Sequence, residues 1–353
     1  MARRIGSGRD SRRAAAVEAD RYLLAGDVGG TKTDLAIFAR RGDRLTPVRQ
    51  EEYASREHAS LEAMLRRFLD DATPPRIGAA CFAVAGPTAE GKAHTTNLPW
   101  TVEAAVLGRL VGTDRVKLVN DLQAAAYGML FLEPGDFRVL HATDPRRQGN
   151  IAVIAPGTGL GEAILFRDGA RYHAIASEGG HADFAPRTDR EIDLLRFLRA
   201  RCGGHVSYER VLSGDGLHNV YAFLRDAGQA PEPPWLAERL ARGDPNAAIA
   251  ELALTGESAL CTEALDLFCS VLGAEAGNLA LRSFATGGVI LGGGIPPKIL
   301  PALEKGGFMA ALTDKGRLTP WLKEVPVSVA LVPRAALVGA AQLLLAGPGE
   351  PGS

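Results

Sequence analysis

Two stretches of this chain, residues 22–38 and 151–166, carry a pattern that leaves few folds open: an apolar run, a glycine-crowded turn and a second apolar run. In the first, YLLAGD enters the turn and DLAIF (34–38) leaves it; in the second, IAVIA (151–155) enters and GEAILF (161–166) leaves. Short apolar runs joined by so few residues read as antiparallel strand pairs. GGTKTDLAIF and GTGLGEAILF match only in part, so taken alone they are weak evidence of a duplication. A hairpin at the start of each half still argues against a purely parallel dinucleotide-binding sheet. Neither GxGxxG after the first strand nor GxxxxGK[ST] is present, so a dinucleotide fingerprint and a P-loop are both excluded.

The segments between the hairpins supply helices and further strands. Leu61, Met64, Leu65, Phe68 and Leu69 repeat at helical spacing behind Ser60, a residue suited to cap the first turn. Residues 77–84 and 116–120 read as strands, the second running into a helix whose inner face would be Leu122, Ala125, Ala126, Met129 and Leu130. Residues 190–285 read as largely helical, interrupted by a proline-rich surface loop at 230–235. VILGGG (289–294), VSVALV (327–332) and a helix over 335–345 close the pattern. Strands alternating with helices in this way predict an α/β protein with mixed sheets.

Composition narrows the partners. Forty basic residues balance 41 acidic ones, for a net charge of −1, so neither nucleic acid nor an anionic membrane is an expected partner. No apolar run is read as long enough to cross a membrane, and no secretory core follows the first arginines. Cys81, Cys202, Cys261 and Cys269 form no CxxC pair, which fits a reduced cytoplasm. Residues 1–20 contain five arginines among small residues and read as a poorly ordered extension in preference to an organellar transit peptide.

The chemistry concentrates at the turns. In Gly26-Asp27-Val28-Gly29-Gly30-Thr31 the glycines let backbone N–H groups approach phosphate oxygens, and Asp27 at the mouth is suited to hold Mg²⁺, most simply through water. The same residues also read as a plain hairpin turn with a solvated aspartate. In the second turn Thr158 and Gly159 offer further phosphate donors, and Gly292-Gly293-Gly294 permits the close approach of a flat ring; each also reads as an ordinary turn. Asn120 and Asp121 stand where a strand meets a helix, a place for a helix cap or for a carboxylate kept ionised to accept a hydroxyl proton. Glu178-Gly179-Gly180-His181 brings a carboxylate and an imidazole together around two glycines, suited to sugar hydroxyls and short of a transition-metal set. Glu209 adds a further acceptor, or a favourable charge in a first helical turn.

In order along the chain, GDVGGTKT, AVAGP (83–87), TNLPW (96–100), LVNDLQAAAYG, APGTGLGEAIL, SEGGHADFAP, YERVLSGDGL and ILGGG resemble the bacterial glucokinase family, within the sugar kinase, Hsp70 and actin superfamily. The resemblance runs from about 22 to 346. It implies a two-domain, ribonuclease H-like α/β fold with a deep interdomain cleft: an extension at 1–20, a small domain of 21–131 plus about 322–346, and a large domain of 132–321. It implies ATP-dependent phosphorylation of glucose at the 6-hydroxyl by a cytoplasmic enzyme, with Asp121 as catalytic base. Asn97, Asn120, Asp121, Glu178, His181 and Glu209 would meet the sugar. Gly26, Asp27, Val28, Gly29, Gly30 and Thr31 would hold ATP with Thr158, Gly159 and Gly293, and Asp27 would face Mg²⁺. A homodimer is compatible with it.

Two departures stand out, the residues after the first loop and the Arg-rich extension at 1–20. Lys32 and Thr33 occupy positions where many family members carry other polar residues, which leaves their phosphate contacts unassigned. The related ROK sugar kinases carry a cysteine-rich zinc motif after the glycine–histidine segment; here ADFAPR follows His181, so no structural zinc is expected. Competing readings are a kinase for mannose, fructose or an N-acetylhexosamine, and a sugar- and ATP-binding regulator without turnover. No basic helix-turn-helix segment supports the regulator.

Overall fold

The computed structural model describes residues 21–42, 44–70, 75–95, 98–144, 148–228 and 231–345. The chain divides into two units, one of residues 1–132 with 334–353 and one of residues 133–333.

The first unit is built on a five-stranded sheet in the order β3-β2-β1-β4-β8. Its strands are β1 (Tyr22–Val28), β2 (Lys32–Arg41), β3 (Arg44–Ala54), β4 (Ile77–Val84) and, after three short strands β5 (Thr88–Ala89), β6 (Lys92–His94) and β7 (Thr101–Glu103), β8 (Val116–Asn120). The expected hairpin is present: β1 and β2 pair antiparallel with Asp27 opposite Asp34, while β4 joins β1 in parallel and β8 joins β4. The strand β3 has no counterpart in the sequence reading. It is an edge strand with mostly outward residues and Pro47 at a register shift, so it lacks the apolar run that betrays a buried strand. The helix Leu61–Leu69 forms as its periodicity predicts, with Ser60 Oγ accepting from the Ala63 N–H, and buries Leu61, Met64, Leu65 and Phe68.

The helix Asp121–Met129 forms where expected, but its inner face differs. Ala124, Ala126, Gly128 and Met129 are buried, whereas Leu122, Ala125 and Leu130 are only partly so. The reason lies in its partner, the helix Ala335–Gln342. A Cβ on Gly128 would collide with the Ala335 carbonyl, and one on Gly339 with the Ala124 carbonyl, so the two backbones meet through their smallest residues. Side-chain size, which guides a periodicity reading, points to the wrong face when helices approach this closely.

The second unit repeats the arrangement in a six-stranded sheet, β12-β11-β10-β13-β14-β9. Here β9 is Phe137–His141, β10 Ile151–Pro156, β11 Leu160–Asp168, β12 Arg171–Ser177, β13 Gly288–Leu291 and β14 Val327–Ala330. Three antiparallel strands β12-β11-β10 are followed by parallel β13 and β14, as β3-β2-β1 are followed by β4 and β8. The stretch expected to rejoin the first domain from about 322 does so later: β14 is paired with β13 and β9 inside the second unit, and the chain returns only at 334. Pro234 opens the helix Pro234–Ala241, so Trp235, expected in a loop, is the second residue of a helix; Ala230 lies outside the described residues.

The longest helix, Ala259–Ser283, corrects the expectation that no segment reaches membrane-spanning length. It is long and apolar enough, yet 78% of its most apolar window is buried inside the unit, against helices and strands of the second core. It is the central core helix of this unit.

Candidate active site

In the first unit the turn after β1 is closed by the Gly29 N–H donating to the Lys32 carbonyl at 3.0 Å. Ser55, just beyond β3, supports it from beneath: its N–H donates to the Thr31 carbonyl at 2.9 Å and its Oγ to the Gly29 carbonyl at 2.7 Å. Having given its proton to Gly29, the Ser55 hydroxyl accepts from Thr33 Oγ1 at 2.9 Å, and both side chains are fully buried. Lys32 and Thr33, left unassigned by the sequence, are thereby placed. Thr33 points inward as a strut for the loop, and Lys32 points outward to an exposed pairing with Glu52 at 2.6 Å.

Three carboxylates gather beside this turn. Asp27 is half-buried at the end of β1, Asp34 stands opposite it on β2, and Asp121 is close enough to act on it electrostatically. Burial, then the charge of Asp121, then that of Asp34 push the Asp27 carboxyl up to about 7. Accumulated negative charge of this kind is relieved by a cation. Among the described residues no group of three or more His, Cys, Asp or Glu side chains forms a cage that could hold a metal. Such a set is too small for a cage and is of the kind that a cation keeping most of its own waters would relieve.

Asn120 and Asp121 divide the junction between them. Asn120 Oδ1 accepts from the N–H groups of Leu122 (3.0 Å) and Gln123 (3.1 Å), so Asn120 is the helix cap, and its amide donates to the Gly86 carbonyl at 3.4 Å. Asp121 is the first helical residue, partly exposed, with Oδ1 accepting from the Leu122 N–H at 2.9 Å. Asn97 lies outside the described residues.

In the second unit the turn 157–159 is closed by the Gly157 N–H donating to the Gly159 carbonyl at 2.8 Å, with Thr158 exposed at its tip. The Gly292 N–H donates to the Ile154 carbonyl at 2.9 Å and the Ile295 N–H to the Pro156 carbonyl at 3.2 Å. Gly293, at φ +80°, packs on that same carbonyl where no Cβ would fit. The second and third glycine loops are therefore neighbours. Glu209 joins them: its Oε2 accepts from the Leu160 N–H at 3.0 Å and occupies the space a Cβ on Gly159 would take.

Glu178 and His181 flank a single 3-10 turn, Gly179–His181, that begins where β12 ends. Ser177 Oγ accepts from the Gly179 N–H at 3.0 Å, and Gly180 packs against the Leu160 carbonyl. Both side chains are well exposed, with Glu178 Oε2 and His181 Nε2 3.9 Å apart. The sequence reading missed Ser55, Asp34 and a buried acid pair, Glu162 and Glu275. One signal for two of them was available: Asp34 and Glu162 each place a carboxylate at the start of an otherwise apolar returning strand.

A family model described as glucokinase matches residues 24–346. The glucokinase of Nostoc punctiforme is 40% identical over 332 residues, covering 90% of this chain and 97% of its own length. That of a Synechocystis species is 38% identical over 344 residues, covering 90% and 96%. Among solved structures, the glucokinase of an Antarctic psychrotroph matches with a TM-score of 0.80 at 32% identity, over 93% of this chain and 99% of that one. A ROK family glucokinase from Streptomyces griseus, at 23% identity and a TM-score of 0.60, shares the fold. With a family model spanning residues 24–346 and relatives of 38–40% identity that cover 90% of it, the chain belongs to the glucokinase family.

Proposed function

We propose that this protein transfers the γ-phosphoryl group of ATP to the 6-hydroxyl of glucose, giving glucose 6-phosphate and ADP. The observation that carries this reading is 40% identity, across nearly the whole of both chains, to a protein named glucokinase.

The residues support a division of labour. Asp121 accepts the proton of the 6-hydroxyl as that oxygen bonds to the γ-phosphorus, and the bond from the γ-phosphorus to the bridging oxygen of ADP breaks. Its place in the first turn of a helix, with Oδ1 accepting from the Leu122 N–H, favours the ionised form needed of a base. The Asn120 amide, Glu178, His181 and Glu209 are sugar ligands, with Asn97 beside them. Gly26, Asp27, Val28, Gly29, Gly30 and Thr31 form the first phosphate loop, Thr158 and Gly159 the second, and Gly293 lies by the adenosine. Mg²⁺ held through water by Asp27 would neutralise charge on the phosphates. Little covalent chemistry is asked of the protein, because phosphoryl transfer passes through a loose transition state that is mainly positioned and stabilised. Four free cysteines, three of them buried, fit residence in a reduced cytoplasm.

An ADP-release assay across glucose, mannose, fructose and N-acetylglucosamine tests the reading, run beside Asp121→Asn. Glucose is expected to give the highest kcat/KM, and the variant to lose about 10²- to 10⁴-fold in kcat while still binding sugar. Equal turnover by both proteins removes Asp121 from the mechanism. A clear preference for another hexose reassigns the substrate, because a site built around hydroxyl groups rejects an epimer that leaves its polar atoms unpaired.

A further inference from the structure

The turn carrying Glu178 and His181 rests on a carboxylate that packing alone does not call for. Glu162, 1% exposed, lies in β11 opposite Ser177 of β12. Among the described residues neither of its oxygens has a hydrogen-bond donor; Arg282 approaches only to 3.8 Å. What faces it is the equally buried Glu275, to which Arg282 is bound more closely. One guanidinium thus serves two carboxylates. Burial first, and the charge of Glu275 second, hold the Glu162 carboxyl well above the usual range, which favours its protonated form.

The pair touches both sugar-facing segments. Glu162 Oε2 occupies the space that a Cβ on Gly179 would need, so the backbone between Glu178 and Gly180 lies directly on the carboxyl group. From Glu275, Oε2 accepts from Asn278 Nδ2 at 2.9 Å; the same amide donates to the Tyr208 hydroxyl at 3.1 Å, and the next residue is Glu209. An apolar side chain of equal volume would fill this space without the desolvation that two buried acids cost. It would not set the close contact beneath Gly179 against the hydrogen-bonded series that runs from Glu275 through Asn278 to Tyr208.

We propose that Glu162, backed by Glu275 and Arg282, is a positioning residue for the sugar, fixing the 177–181 turn and hence the places from which Glu178 and His181 meet the hexose. The proposal takes its ligand from the kinase reading above. Glu162→Ala removes the support; Glu162→Gln keeps the shape and stays neutral, as the protonated carboxyl is.

Steady-state kinetics with glucose and ATP, and hydrogen exchange of residues 177–182, test it on the full chain. Glu162→Ala is expected to raise KM for glucose about tenfold, leaving KM for ATP within about twofold, while Glu162→Gln restores most of the parent value. Exchange across 177–182 accelerates in the alanine variant and not in the glutamine variant. Gly179→Ala raises KM for glucose as well, and combined with Glu162→Ala its effect is less than additive, because the second change vacates the space the new methyl group needs. Parallel rises in both KM values, additive effects, or unchanged exchange in Glu162→Ala would overturn the proposal. A parent protein that phosphorylates no hexose would instead defeat the kinase reading, and exchange would still decide whether Glu162 holds the turn.

Discussion

The two glycine turns stand on the same strand arrangement and are equipped differently. At the first, Asp27, next to last in β1, lies beside Asp34 and Asp121, and the concentration of negative charge is the dominant feature. At the second, Ala155 stands where β1 carries the acid, and a carboxylate arrives from elsewhere in the chain, Glu209, to accept from the Leu160 N–H. Aligned turn to turn, Asp34 and Glu162 correspond. The first remains near the loop surface among other acids, while the second is fully buried with Glu275. One hairpin scaffold thus serves two electrostatic purposes: the first turn is suited to a cation, the second to holding neutral donors in place. Backbone geometry provides the turn, and the residues one strand away decide its chemistry.

The comparison is broken most directly at Asp27. Asp27→Asn should weaken Mg·ATP by about 10- to 100-fold, read as the Mg²⁺ concentration needed for half-maximal rate, while leaving glucose binding near the parent value. Loss of sugar affinity instead would mean that the first turn is not the cation side.

The second turn should answer in the opposite ligand. Glu209→Gln trades a charged acceptor on the Leu160 N–H for a neutral one, and KM for glucose is expected to rise about tenfold, with the Mg²⁺ requirement unchanged. A shifted Mg²⁺ requirement would erase the distinction between the turns.

Ser55 sharpens the first side of the comparison. Ser55→Ala strands Thr33 Oγ1 and the Gly29 carbonyl in a buried place, at a cost of about 1–3 kcal/mol in unfolding free energy, measured by denaturant titration. Glucose KM should move less than ATP KM. An unchanged midpoint would show that the hydroxyl contributes nothing to the loop.

The smallest effect is a slope. An acid whose folded pKa is raised contributes stability that is fully present below its unfolded value and is lost as pH rises through the folded one. For Asp27 that window runs from 3.8 to about 7. Stability without ligands should therefore fall across it, and Asp27→Asn should flatten that part of the curve and be the more stable protein above it. Added Mg·ATP should restore the parent at the alkaline end. A parent curve that is flat between those limits would show that Asp27 keeps an ordinary carboxylate pKa.

Legibility followed locality. The hairpins, the capped helix Leu61–Leu69 and the place of Asp121 at the head of a helix depend on residues within a few positions of one another, and all were readable. The strand β3 was not, because an edge strand needs no apolar run to form. The buried face of Asp121–Met129 was misread because Gly339, two hundred residues away, lets the helices touch where Ala124 and Gly128 lie. Ser55 carried no signal of its role, and Glu162 only that of a carboxylate in an apolar strand, since serine beyond a strand is ordinary and the partner of such a glutamate is unknown until its neighbours are.

The amino-acid order by itself determined where chain direction reverses and which residue types stand at each reversal, because glycine freedom, capping and side-chain period act over a few bonds. Only the tertiary structure decided which carboxylates share a space, which hydroxyl supports which loop and which acid keeps its proton. Those outcomes depend on burial and on charges brought together from distant segments, and the field at a carboxylate is set by what surrounds it in space.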